Sequence, residues 1–383
     1  MEYKDRSSRF WNQDYIKMCL TQLLVMLAVM MQFPILQSSH QSVGADVWTY
    51  LLCTAAFCVG MVFPGPFSAY MVDAYKRKRV CSWSVVGIGI AAMGLSHTSN
   101  LLLMLPIRLF EGVCFGIFQM SLGSTIINDL SISERRTQTD YYFLWFGRLS
   151  LPLAMMSCWL FSAGYVNEEL FYLSALLCLA GLLLISSVRV PFRAPNKVKL
   201  VSFDRFWYPH AWLLCLNLLP LTMIEGIWLG GEVSPMDALL LFVGMLTACF
   251  THRNFFEAAD ERADAVSGML LVIASMILLL MEGDQRNVVF AAYFMLGVGI
   301  GWSASRFLLY FLKLSNHCQR GTLQQTYVIS ATVGIGAGFV LGYWQVDIYL
   351  TLLLSVITLL QYLLITHRWW KKQGGRDFKF REV

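Results

Sequence analysis

Charge is scarce in this chain. Only 14% of its 383 residues are Asp, Glu, Lys or Arg, against roughly 25% in soluble domains, which excludes an ordinary water-soluble fold. Ten cysteines are scattered through it with no Cys-x-x-Cys spacing, so they read as small hydrophobes, not as redox or metal motifs. The His-Glu-x-x-His protease motif and the phosphate-cradling Gly-x-x-x-x-Gly-Lys-(Ser/Thr) are both missing, and with them any local basis for metalloprotease or ATP-driven work. The stretch from His252 to Glu257 is too sparse for acyl transfer. All six histidines (His40, His97, His210, His252, His317, His367) fall near the ends of apolar runs, which argues against an intramembrane metal site or a histidine relay. The sequence thus predicts a non-enzyme without cofactor or metal. Its net charge of +5 is spread beside apolar runs and is no sign of nucleic-acid binding.

What is abundant is apolar length. Hydrophobic residues make up 57% of the chain and mean hydropathy is +0.57. A helix needs about 20 apolar residues to cross the hydrocarbon core, and irregular backbone cannot face lipid. Twelve spans are predicted: 14–37, 47–72, 80–97, 101–128, 141–164, 170–190, 211–230, 237–251, 265–282, 288–312, 323–345 and 347–367. Of the 29 Lys and Arg, 25 then fall in the two ends, the alternate connections and the span ends that adjoin them (Lys17, Arg189). One, Arg286, falls in the six opposite connections, and three lie deeper inside spans. Basic residues stay in the cytoplasm, so both ends are predicted cytoplasmic and the chain multi-pass in the cytoplasmic (inner) membrane. The charged start (Lys4, Arg6, Arg9) leads into a full-length span and reads as retained, not as a cleaved signal peptide. Residues 1–190 and 211–367 form two six-span halves joined by a cytoplasmic linker, 191–210, and residues 368–383 are a cytoplasmic tail. Trp369 and Trp370 beside Lys371 and Lys372 suit an interfacial anchor.

Five ionisable residues interrupt the spans: Arg108, Glu111, Arg148, Glu225 and Arg306. Each costs about 2.5–3.5 kcal/mol at a bilayer centre, so they must pair, neutralise or meet water. Arg108 and Glu111 are three apart and can meet on one helix face. Three arginines against two carboxylates predict a positive charge left for an anionic or zwitterionic solute, for helix carbonyls or for water. Glu225, in a span with Asn217 and Pro220, and Glu111 are the candidate proton-coupling carboxylates. Gln22, Gln32, Gln324 and Gln325 can line a cavity or face the interface. Gly112 and Gly116 in span 4, and Gly297 and Gly301 in span 10, form a weak internal repeat. Gly334, Gly338 and Gly342 make one smooth face for close helix packing.

After span 2 the chain runs Ala69-Tyr70-Met71-Val72-Asp73-Ala74-Tyr75-Lys76-Arg77-Lys78-Arg79. This resembles the loop between spans 2 and 3 of the major facilitator superfamily, Gly-x-x-x-Asp-(Arg/Lys)-x-Gly-(Arg/Lys)-(Arg/Lys). Asp73, Arg77 and Lys78 match, while Ala69, Ala74 and Lys76 depart. Arg108, Gly112 and Gly116 are similar to the family's Arg-x-x-x-Gly in span 4, and Glu134-Arg135-Arg136 to its loop before span 5. The resemblance implies an all-α membrane protein of twelve helices in two six-helix bundles. It implies a secondary active transporter that moves a small organic solute by alternating access, coupled to protons or another ion, with Asp73, Arg77 and Lys78 as a gating loop. It implies a monomer whose partners are solute, ion and bilayer. The antiporter signature of span 5 is absent from Phe146-Gly147-Arg148-Leu149-Ser150-Leu151-Pro152-Leu153, so the resemblance does not extend to export by antiport. A facilitative uniporter of the same fold and a non-transporting sensor or scaffold are the alternatives.

Overall fold

A computed structural model describes residues 11–42, 46–98, 100–130, 136–161, 169–190, 199–202, 206–231, 233–256, 261–283, 285–314 and 319–373, and among these described residues the long helical stretches number twelve. In order they are α1 (Gln13–Ser42), α2 (Val47–Ala74), α3 (Arg77–Leu95), α4 (Leu101–Leu130), α5 (Arg136–Leu160) and α6 (Leu170–Ser187). Then follow α7 (Trp212–Gly230), α8 (Pro235–Phe256), α9 (Glu261–Glu282), α10 (Arg286–Leu314), α11 (Arg320–Tyr343) and α12 (Ile348–Lys372). Ten helices among the described residues are long and apolar enough to cross a membrane, and Pro235–Thr251 is a shorter apolar one. α3 opens instead on Arg77, Lys78 and Arg79. Large apolar side chains point outward, among them Leu102 at 78% and Phe250 at 73% exposure. That is the surface of a multi-pass membrane protein, whose solvent is hydrocarbon. The predicted features at Lys4, Arg6, Arg9, Glu134, Arg135, 191–198, Glu257, His317, Cys318 and 374–383 lie outside the described residues.

Local sequence explains where the helices bend. Pro64-Gly65-Pro66 breaks α2 into Val47–Val62, a short 3-10 turn and Ser68–Ala74, because proline removes donors from the helix ladder. α4 begins with Asn100, whose side chain accepts from the Leu102 N–H at 3.0 Å, satisfying one of the orphan donors of its first turn. Later α4 widens into a π-turn over Met120–Ile126. α5 is interrupted at Leu149, between Arg136–Arg148 and Ser150–Phe161.

Several boundaries differ from expectation. α1 reaches Ser42, not 37; α5 starts at Arg136, not 141; α8 runs Pro235–Phe256, not 237–251; α9 starts at Glu261, not 265; and α12 reaches Lys372, not 367. Hydrogen-bonded helix continues past the apolar run into polar turns, which hydropathy alone does not register.

Contacts divide the chain into two compact units. Unit 1 is Met1–Pro209 with Asn316–Ile329, and unit 2 is His210–Ser315 with Ser330–Val383. In unit 1 a methyl group on Gly112 would overlap the Phe57 carbonyl oxygen, and one on Gly60 the Leu109 carbonyl oxygen. In unit 2 Gly244 and Gly297 meet in the same way, against the carbonyl oxygens of Phe294 and Leu241. Thus α2 crosses α4, and α8 crosses α10, with backbone against backbone. The glycine face of α11 is also filled. Gly334, Gly338 and Gly342 lie on α7, against Leu219, Met223 and Ile227.

Candidate functional site

The buried charges sort into pairs and one polar cluster. On α4 Arg108 and Glu111 are both fully buried, and an Arg108 Nη donates to Glu111 Oε2 at 2.5 Å. The same nitrogen donates to Gln32 Oε1 at 2.9 Å. Gln32 in turn donates to the Ser174 hydroxyl at 3.2 Å, and Ser174 to the Ala28 carbonyl at 2.8 Å. The guanidinium carbon stands 4.7 Å from the Phe57 ring centre and 5.5 Å from that of Phe33, close enough for cation–π attraction. Four helices of unit 1 therefore enclose this charge.

Arg148 sits in a different setting. Its guanidinium donates to the Tyr327 hydroxyl at 2.6 Å. Tyr327 lies in the first part of α11, which belongs to unit 1. Beside Arg148, Gly147 packs on Gln22, whose amide donates to Gln119 at 3.0 Å, and Gln119 donates to the Met26 sulfur at 3.0 Å. One turn before Tyr327, Gln324 abuts Gly123 in the α4 π-turn, with the Phe143 ring on the same glycine. Gln324 is 2% exposed, and neither its amide oxygen nor its nitrogen has a hydrogen-bond partner. The Trp145 indole N–H and Gln22 Oε1 are likewise buried without partners. Buried amides are normally satisfied, so unpartnered ones around an arginine mark a place for water or a polar solute. Gln325 is spent on the Gly116 carbonyl at 3.4 Å.

The predicted gating residues divide their work. Arg77 pairs with Asp73 at 2.9 Å and, on its other Nη, with Asp129 at the end of α4. Lys78 instead donates to the Ser186 and Val188 carbonyls, both at 2.7 Å. It thereby satisfies the end of α6 with a cation, as helix C-termini favour.

In unit 2 Arg306 pairs with Asp264, its Nε at 2.6 Å from Oδ2. This corrects the expected surplus of arginine over carboxylate. Asp264 and Asp140 are both fully buried within helices, but hydropathy boundaries at 265 and 141 placed each of them one residue outside a span. Glu225 is buried on α7. Two turns earlier Asn217 donates to the Thr358 carbonyl at 3.0 Å and accepts from the Thr366 hydroxyl, tying α7 to the π-turn of α12.

Sequence reasoning missed Gln119, Tyr327, Asp129, Asp140 and Asp264. A lone glutamine in the apolar run of α4 was a signal for Gln119. Nothing local distinguished Tyr327, which is one of 16 tyrosines.

The architecture has counterparts among solved structures. The human organic anion transporter MFSD10 (TETRAN) superposes with a TM-score of 0.68 at 17% identity, over 91% of this chain and 98% of that one. A point mutant of the nucleoside transporter NupG gives 0.63 at 11% identity, over 94% and 99%. Both have the major facilitator fold, and this chain shares it. No protein-family model and no curated protein sequence matches, so what is held in common is the fold.

Proposed function

We propose that the chain is a secondary active transporter of a small anionic organic solute, working by alternating access and coupled to protons. The observation that carries this reading is Arg148 on the Tyr327 hydroxyl beside the unpartnered amide of Gln324. A guanidinium matches a carboxylate or phosphate in charge and geometry, and an amide supplies both donor and acceptor to the rest of the solute. The similar MFSD10 is an organic anion transporter, which favours the same solute class here. In this reading residues 1–190 and 211–367 are the rocking bodies, 191–210 links them, and both ends lie in the cytoplasm. Asp73, Arg77 and Lys78 hold the cytoplasmic side. The charges of Arg108 with Glu111, and of Arg306 with Asp264, are balanced inside their own units.

Solute counterflow in proteoliposomes across a panel of organic anions tests the proposal. Gradient-driven flux of at least one anion is expected, and none across the panel rejects it. Arg148→Gln is expected to reduce that flux about tenfold or more, the worth of one charged hydrogen bond, with folded protein retained. Unchanged flux would move the solute away from Arg148.

Glu225 is the carboxylate we assign to proton coupling in unit 2. Glu225→Gln is expected to abolish uphill accumulation while sparing solute exchange, because exchange needs no net proton movement. Uphill transport at the parental level in that variant rejects the assignment.

A further inference from the structure

Asp140 occupies the second turn of α5, where neither carboxylate oxygen receives a hydrogen bond although the side chain is fully buried. Two cations act on it, Arg320 from the start of α11 and Arg136 from the start of its own helix. From α1, Tyr15 lies near Asp140, and Cys19 and Tyr142 lie near Tyr15. The Tyr15 hydroxyl is already committed to the Thr139 carbonyl at 2.9 Å. Arg320 mirrors the carboxylate's condition: its Nε and one Nη are also buried without an acceptor. The start of α11 is seated firmly all the same, with the Gly321 backbone against Ser124 of the α4 π-turn.

A buried anion and a half-buried cation, whose Nε and one Nη are enclosed, thus lie near each other with bonding capacity unused on both. A buried carboxylate without donors persists by taking a proton or by closing onto a cation. We propose that Asp140 is a proton-binding site whose occupancy is tied to Arg320. With the proton on Asp140, the carboxyl is neutral and Arg320 stands off. With the proton released, the carboxylate and the guanidinium close into an ion pair. The proton moves between the carboxylate oxygen and water, and no other bond changes. Arg320 starts a helix that passes from unit 1 into unit 2 at Ser330. Proton occupancy at Asp140 is therefore linked to the seating of the first turns of α11. That link to coupled transport rests on the transporter reading above; the proton site itself does not.

Infrared titration of the purified full chain tests the site without any solute. The expected result is a protonated-carboxyl stretching band that titrates with pH and is missing in Asp140→Asn. Arg320→Gln removes the facing cation and is expected to raise the midpoint of that band by about one pH unit or more. A band unaltered by Asp140→Asn, or a midpoint unmoved by Arg320→Gln, overturns the proposal. Should Asp140→Asn not fold, Asp140→Glu is expected to shift the band frequency, and an unshifted band counts against Asp140. Absence of solute flux in proteoliposomes would leave the infrared result intact, so the two readings fail separately.

Discussion

Alanine in place of Arg108 is expected to cost the folded chain about 3–5 kcal/mol, the usual penalty for removing one partner of a buried ion pair. The reason is Glu111, which is fully buried and has Arg108 as its partner at 2.5 Å. Without the guanidinium, Glu111 must either stay charged in hydrocarbon or bind a proton. The Gln32 amide oxygen also loses its donor, and the Phe33 and Phe57 rings lose the cation they flank. Thermal unfolding in detergent measures the effect. The companion test is the double variant Arg108→Met with Glu111→Gln, which removes both charges at similar volume. It is expected to recover most of the lost stability, because the greater part of the penalty belongs to the orphaned carboxylate and not to the missing bond. If the double variant is as unstable as Arg108→Ala, the pair is held by something other than mutual neutralisation.

Valine in place of Gly112 is expected to prevent α2 and α4 from closing, with a loss of about 3 kcal/mol or more. The β-carbon alone would overlap the Phe57 carbonyl oxygen and lie 2.8 Å from the Met61 amide nitrogen. Backbone atoms cannot swing aside as a flexible side chain can, so the helices must separate. Packing between them then loses its close contacts, which supply most of the attraction between helices in lipid. The yield of monodisperse protein after detergent extraction reads this directly, and parental yield and unfolding temperature would contradict the crossing. Gly297→Val is expected to do the same to α8 and α10, where the β-carbon meets the Leu241 carbonyl.

Much of the architecture was legible from the sequence because a bilayer imposes a length and a charge rule that a single chain must obey locally. The apolar runs coincide with the helices among the described residues, with ends shifted by a few residues. Arg108 with Glu111 was legible too, since a spacing of three is a geometric statement about one helix. Asp140 and Asp264 were not. Each stands near the polar start of a helix, where neighbouring charges such as Arg136 and Arg262 pull local hydropathy down and disguise the helix as a connection. Tyr327 and Gln119 fall in a third class. What singles them out is contact with Arg148 and Gln22, residues 179 and 97 positions away. No local pattern carries such a distance.

The paired glycine crossings bear on how the chain tolerates change over evolutionary time. Where one backbone rests directly on another, the contact asks only that a few positions stay small. Every outward-facing position around it is free to drift among apolar residues, since lipid accepts Leu, Val or Phe alike. A fold braced in this way, twice over at Gly60 with Gly112 and at Gly244 with Gly297, can keep its outline while its letters are rewritten. That fits a fold with counterparts among solved structures at 17% and 11% identity in a chain whose sequence matches no family model.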